Sequence, residues 1–156
     1  MLLVYYFNMK VYITADHNGF ALKNALREWL QTEGYDVTDL GPETFDKDDD
    51  YPDFGIRLAQ QVTADPEHAL GIAICGSGVG MAVVADKVKG VRAGLIHDPA
   101  IAQAAKRDDD INVLALGARY LSEKQAKDVV RAWLTATFSG EERHVRRINK
   151  IAAYER

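Results

Sequence analysis

Short apolar runs alternate with amphipathic stretches along almost the whole chain, and this rhythm predicts an architecture before any single residue is weighed. Residues 10–15, KVYITA, are a β-branched and aromatic run that stops at Asp16, His17, Asn18 and Gly19, as a strand does on entering a loop. From 20 to 33 the apolar residues Phe20, Leu22, Ala25, Leu26, Trp29 and Leu30 recur at helical spacing, and Gly34 supplies a stop. The unit then repeats with a strand over 35–40, the polar loop GPETFDKDDDYPD, and a helix over 54–63 with Pro52 near its start. ALGIAIC at 69–75 is nearly unbroken apolar sequence, the pattern of a strand covered on both faces. After GSGVG the spacing predicts a helix over 79–88, a strand over 91–96, a helix over 98–106, a strand over 112–116, a helix over 122–136 and a last helix near 141–154.

Strands separated by helices require right-handed crossovers, so the fold class is α/β: a five-stranded parallel sheet covered on both faces, with a C-terminal helix. In such sheets ligands bind beyond the carboxyl ends of the strands. That rule selects 16–19, 41–53, 75–80, 97–99 and 117–119 as the segments to test for chemistry. Composition narrows the picture further. With 156 residues, 47% of them hydrophobic, the chain suits one domain, expected over 10–156, in which folding removes roughly 70% of the unfolded surface from water. A single cysteine, Cys75, forms no intramolecular disulfide and no thiolate cluster, which fits a reducing, cytoplasmic setting. A net charge of -4 argues against a nucleic-acid partner, and no stretch approaches the roughly 20 apolar residues of a membrane span. The leader MLLVYYFN has no basic start and no cleavage site, so it reads not as a signal peptide but as an overextended start before Met9 or, as the alternative, a segment that packs on a sheet edge or a partner.

The strongest local motif is ICGSGVGMA at 74–82, in which a buried strand meets a helix through Gly76, Gly78 and Gly80. Glycines let a ligand approach the main chain, and unpaired amides favour an anion or a developing oxyanion. The motif lacks the Gly-Lys-Ser/Thr end of a phosphate loop and the spacing of a dinucleotide fingerprint. A free cysteine is ordinarily a buried hydrophobe. Cys75, however, lies where strand meets helix, a place that favours a thiolate. Such a thiolate could attack a carbonyl, or take a proton from carbon while amides hold the enediolate, and Ser77 could donate or accept a hydrogen bond beside it. His17 and His97 follow the first and fourth strands beside Asp16 and Asp98. RHVRR at 143–147 places Arg143 and Arg147 on one helical face, either as a solvated surface or as a guanidinium pair for phosphate. The runs DKDDD and DDD have no ligand-like spacing and read as solvated turns, with no metal expected.

Taken together, ADHNGFALK at 15–23, DYPDF at 50–54, CGSGVGMAVVADK at 75–87, NVLALGAR at 112–119 and RHVRRI at 143–148 resemble ribose-5-phosphate isomerase type B and the related galactose-6-phosphate isomerase subunits. The resemblance runs from Lys10 almost to the end. It implies a Rossmann-like three-layer α/β/α homodimer, with a dimer of dimers as the further assembly it allows. It also implies an aldose–ketose isomerase of phosphorylated sugars that works through an enediol and needs no metal or organic cofactor. By the same resemblance Cys75 is the base between C1 and C2, Ser77 assists proton transfer between the oxygens, and Gly76, Gly78 and Gly80 form the anion hole. Asp16 and His17 hold the sugar, Tyr51 lines the pocket, and Arg119, Arg143 and Arg147 hold the phosphate, some of these from the second subunit. One departure stands out. Where the family commonly has a His-Asn pair, with the His opening the sugar ring, this chain has Asp108 and Asp109. Asp108 or, from the neighbouring loop, His97 is the candidate for that step. The expected pair is ribose 5-phosphate and ribulose 5-phosphate. A hexose 6-phosphate of the allose or galactose type, another pentose phosphate, a non-catalytic sugar-phosphate binder and, less well matched, a flavin or nucleotide module are the alternatives.

Overall fold

The computed structural model describes residues 9–155; the apolar leader at 1–8 lies outside the described residues. The elements follow in the order β1 (Lys10–Ala15), α1 (Phe20–Thr32), β2 (Asp36–Asp39), α2 (Tyr51–Ala64), β3 (Ala69–Cys75), α3 (Val79–Ala85), β4 (Ala93–Leu95), α4 (Pro99–Asp109), β5 (Val113–Gly117), α5 (Glu123–Thr135) and α6 (Glu142–Tyr154). All strand pairs are parallel, and the sheet order is β2-β1-β3-β5-β4. This is the expected α/β architecture.

Strand alternation sorts the core into two layers. Ile72 and Ile74 of β3, with Leu114 and Leu116 of β5, pack on one face among Leu26 and Leu30 of α1 and Val129, Val130 and Trp133 of α5. Ala73, Cys75, Val113 and Ala115 face the other way, toward Leu58 and Val62 of α2 and Met81 and Ala85 of α3. Because successive side chains of a strand point to opposite faces, Cys75 is committed to the α2/α3 side by its register alone.

Several boundaries differ from the sequence expectation. Helix α2 starts at Tyr51 instead of 54: Asp50 is extended at the cap, and Pro52 sits in the first turn, where its missing N–H leaves no bond unmade. Helix α4 runs on to Asp109 instead of ending at 106, with Lys106 and Arg107 in its last turn, and Asp110 ends it in the left-handed region at φ 46°. Strand β4 shrinks to Ala93–Leu95 at the sheet edge, and α3 closes at Ala85 instead of 88.

Lys23 of α1 is fully buried, which is rare for a lysine unless it is paired. Its Nζ donates to both carboxylate oxygens of Asp39 at 2.9 and 2.7 Å and to the Pro42 carbonyl at 2.8 Å. Asp39 also accepts from Arg27 at 3.0 Å and from the Gly41 N–H at 2.8 Å. Burial pushes the Asp39 carboxyl up, but the hydrogen bonds from Lys23 and Gly41, then the Lys23 charge and Arg27, outweigh it and hold the group below the ordinary 3.8. This knot fixes the chain as it leaves β2 and enters the acidic loop.

Candidate active site

The sheet order reverses direction between β1 and β3, and the crevice beyond their carboxyl ends is the place where this architecture binds ligands. Two loops meet there. The loop after β1 is tied to β3 by the Asp16 N–H donating to the Ile74 carbonyl at 3.1 Å. Asp16 is buried, and its Oδ1 accepts the N–H groups of Asn18 and Gly19 at 2.9 and 3.1 Å, a short-range turn that turns His17 and Asn18 outward.

Beyond β3, the Gly78 N–H donates to the sulfur of Cys75 at 3.1 Å. Gly78 has φ 79°, a conformation that side chains rarely adopt, and it is this turn that brings the amide back over the sulfur. A donor aimed at sulfur serves a thiolate better than a thiol. Ser77 Oγ accepts the Val79 N–H at 3.3 Å, and the Gly76 and Ser77 N–H groups have no acceptor among the described residues, so they can serve an oxyanion. At Gly80 a side chain would stand 2.7 Å from the ring of Tyr51, so the missing Cβ is what seats that ring against the loop.

The loop after β5 closes the third side. Ala118 and Arg119 donate their N–H groups to the carbonyls of Cys75 and Gly76 at 2.9 and 3.0 Å. The Arg119 guanidinium donates to Asn18 Oδ1 at 3.0 Å, Asn18 Nδ2 stands 2.9 Å from His17 Nε2, and His17 Nδ1 stands 2.6 Å from Asp49 Oδ1. Chemistry at the two ends dictates the protons in between. Arginine only donates and a carboxylate only accepts, so Asn18 turns its oxygen to Arg119, Nε2 of His17 accepts, and the ring proton sits on Nδ1. The Asp49 hydrogen bond raises the His17 pKa above 6.5; burial opposes it, the charges of Asp16 and Asp49 add to it, and Arg119 opposes it. Asp16, His17 and Asp49 bring three possible metal-ligand atoms within 4.8 Å of one another, but a cation there would displace the proton shared by His17 and Asp49.

His97 lies beside the same loops, where its Nε2 accepts the Gly117 N–H at 3.1 Å and its ring stacks on Tyr120 with centroids 6.0 Å apart. The remaining expected residues form a second group around the end of α4 and the start of α6. The Arg107 guanidinium grips Asp108 through two hydrogen bonds of 2.7 and 3.0 Å. His144, buried against α4, has Nδ1 2.8 Å from the Asp108 carbonyl. Arg143 donates to Glu141 at 2.8 Å, while Asp109 and Arg147 are exposed. No hydrogen bond or ion pair joins this group to the loops around Cys75 among the described residues. Sequence reasoning missed Asp49, Asn18 and Lys23: Asp49 lies in a run read as solvated turn, and only its contact with His17 distinguishes it from Asp46 or Asp48.

A parallel sheet carrying a buried thiol, a turn of free amides and an ordered His–Asp pair at its switch crevice has the makings of an α/β enzyme site, a candidate for a small anionic substrate. Comparison with known proteins gives this class a family. The ribose/galactose isomerase family model matches residues 11–151, and the chain belongs to that family. The chain is 42% identical over 149 residues to the probable ribose-5-phosphate isomerase B of Mycoplasma genitalium, covering 96% of this chain and 97% of the relative. It is 38% identical over 147 residues to the D-erythrulose-4-phosphate isomerase of Pectobacterium atrosepticum, covering 94% and 95%. Among solved structures, Mycoplasma genitalium ribose-5-phosphate isomerase B with bound ribulose-5-phosphate superposes with a TM-score of 0.91 at 43% identity, covering 94% of this chain and 96% of that one.

Proposed function

We propose that this protein is an aldose–ketose isomerase that interconverts ribose 5-phosphate and ribulose 5-phosphate through an enediolate at Cys75. The observation that carries the reading is the Gly78 N–H on the Cys75 sulfur at the switch crevice, in a chain of this family. In the aldose-to-ketose direction the Cys75 thiolate takes the proton from C2. The bonding pair forms the C1–C2 double bond, and the carbonyl electrons settle on O1. The Gly76 and Ser77 amides are suited to that oxyanion. The proton on O2 passes to O1 by way of the Ser77 hydroxyl, and the thiol returns its proton to C1, leaving the ketone at C2.

Asp16 and His17 hold sugar hydroxyls, Tyr51 walls the site, and Arg119 with Arg143 and Arg147 takes the phosphate. Since the last two arginines belong with Asp108 to the group apart from Cys75, the reading includes a homodimer in which each site draws that group from the second subunit. Helix α6 supports it. Among its residues His144 alone is buried, while Val145, Ile151 and Tyr154 are exposed and a shallow groove of about 450 Å³ runs along it past Val145, Arg146 and Ala153. No helix among the described residues is long and apolar enough to cross a membrane, and with a free thiol at the site a cytoplasmic setting fits.

Cys75→Ala tests the chemistry. It is expected to abolish both isomerisation and solvent-proton exchange into ribulose 5-phosphate while ribose 5-phosphate still binds; retained turnover would remove Cys75 from the role of base.

A further inference from the structure

We infer that the site takes its sugar phosphate as the open chain and leaves the opening of a closed sugar ring to solvent. The inference rests on the isomerase reading above and concerns which form of the sugar that site accepts.

Opening an aldofuranose moves the hemiacetal O1 proton to a base, breaks the C1–O4 bond with its electron pair going to O4, and returns a proton to O4. An imidazole suits this work near neutral pH, whereas carboxylates as a class are weak bases there. The chain has four histidines, and the structure accounts for each of them. His17 is held at both nitrogens, 2.6 Å from Asp49 and 2.9 Å from Asn18. His97 receives the Gly117 amide on Nε2 at 3.1 Å, so its neutral ring carries its proton on Nδ1 and has no free lone pair. His144 is 4% exposed; its Nδ1 donates to the Asp108 carbonyl, and its Nε2, though without a partner, is buried out of reach of a sugar. His68 stands at the amino end of β3, away from the crevice, beside Asp65 at 3.0 Å.

The carboxylates are no better placed. Asp16 is buried, with Oδ1 accepting two amides at 2.9 and 3.1 Å, and Asp49, whose Oδ2 is buried without a partner, already takes the His17 ring proton on Oδ1 at 2.6 Å. Asp108 is gripped at both oxygens by Arg107, and that hydrogen bonding, against a smaller cost of burial and with help from the guanidinium charge, holds its carboxyl below the ordinary 3.8. Among the described residues at the crevice, Cys75 and Ser77 are the groups set up to move protons, and in the isomerase reading both are engaged in the enediolate step.

Some sugar phosphates need no opening at all. A ketopentose 5-phosphate has no free hydroxyl that can reach C2 in a five-membered ring, and a tetrose 4-phosphate has none that can reach either carbonyl carbon. These acyclic compounds enter the proton-transfer step directly. An aldopentose 5-phosphate enters it only through the fraction that has opened in water.

The test compares initial velocities from ribose 5-phosphate and ribulose 5-phosphate as wild-type enzyme is increased. Once the spontaneous opening rate of ribose 5-phosphate in the same buffer is reached, a roughly tenfold rise in enzyme is expected to raise the ribulose 5-phosphate velocity about tenfold and the ribose 5-phosphate velocity less than about twofold. A ribose 5-phosphate velocity that climbs in proportion to enzyme past the spontaneous rate overturns the inference while leaving the isomerase reading intact. Absence of both turnover and solvent-proton exchange with ribulose 5-phosphate overturns the isomerase reading and this inference with it.

Discussion

At the scale of single residues, the site is ordered by hydrogen-bond direction. From Arg119 through Asn18 and His17 to Asp49 every group donates to the next, and the order holds only while His17 is neutral. A second ring proton would put an N–H opposite the Asn18 NH2 group. Asn18 then turns its amide, gives its oxygen to His17 and presents donors to Arg119, which must leave. Because Asp49 raises the His17 pKa above 6.5, the change falls on the alkaline side of an ordinary histidine. If Arg119 holds phosphate, KM for sugar phosphates rises as pH falls through that value. Asp49→Asn removes the leading cause of the shift, so the inflection in KM and the NMR titration of the His17 ring should both move to lower pH. An unmoved ring titration would show that Asp49 does not set it.

At the scale of elements, the apolar rhythm made all eleven segments legible, because a parallel sheet buried on both faces writes its strands as apolar runs and its helices as one-sided patterns. Boundaries were less legible where tertiary contacts decide them. Pro52 reads as a helix start, yet one turn of α2 precedes Phe54, and that turn is what carries Tyr51 to Gly80. The acidic run at 108–110 reads as loop, yet Asp108 and Asp109 finish α4. The position of Cys75, Ser77 and the glycines at the crevice could be read from where β3 ends. Asp49 could not, since nothing local separates it from its acidic neighbours. Lys23 was likewise hidden, because a lysine on a helix is ordinarily exposed and only Asp39 across the fold makes it an interior residue. That pair gives a pH prediction. A carboxyl whose folded pKa lies below its unfolded value contributes stability above the unfolded pKa and loses it as pH falls through the folded one. Urea midpoints should therefore drop as pH falls below 3.8, and Asp39→Asn, less stable at neutral pH, should lack that part of the dependence.

At the scale of the whole molecule, the separation of Arg143 and Arg147 from Cys75 gives the homodimer reading a quantitative test. Cys75→Ala and a double Arg143→Ala/Arg147→Ala variant are each expected to be nearly inactive at low substrate. In a mixed dimer, the arginine-deficient subunit keeps its cysteine and the other keeps its arginines, so one of the two sites is intact. Random subunit exchange should then restore about a quarter of the wild-type activity. Sites complete within one subunit would show no recovery. The two-layer core has a further consequence, this one optical. Both tryptophans of the chain, Trp29 of α1 and Trp133 of α5, belong to the same layer, on the sheet face opposite Cys75, and Arg131 lies over the Trp29 ring. Indole emission therefore watches only the α1/α5 half of the protein. It will follow unfolding faithfully and stay nearly silent when a sugar phosphate binds, so an aromatic reporter for ligand has to be built on the other side.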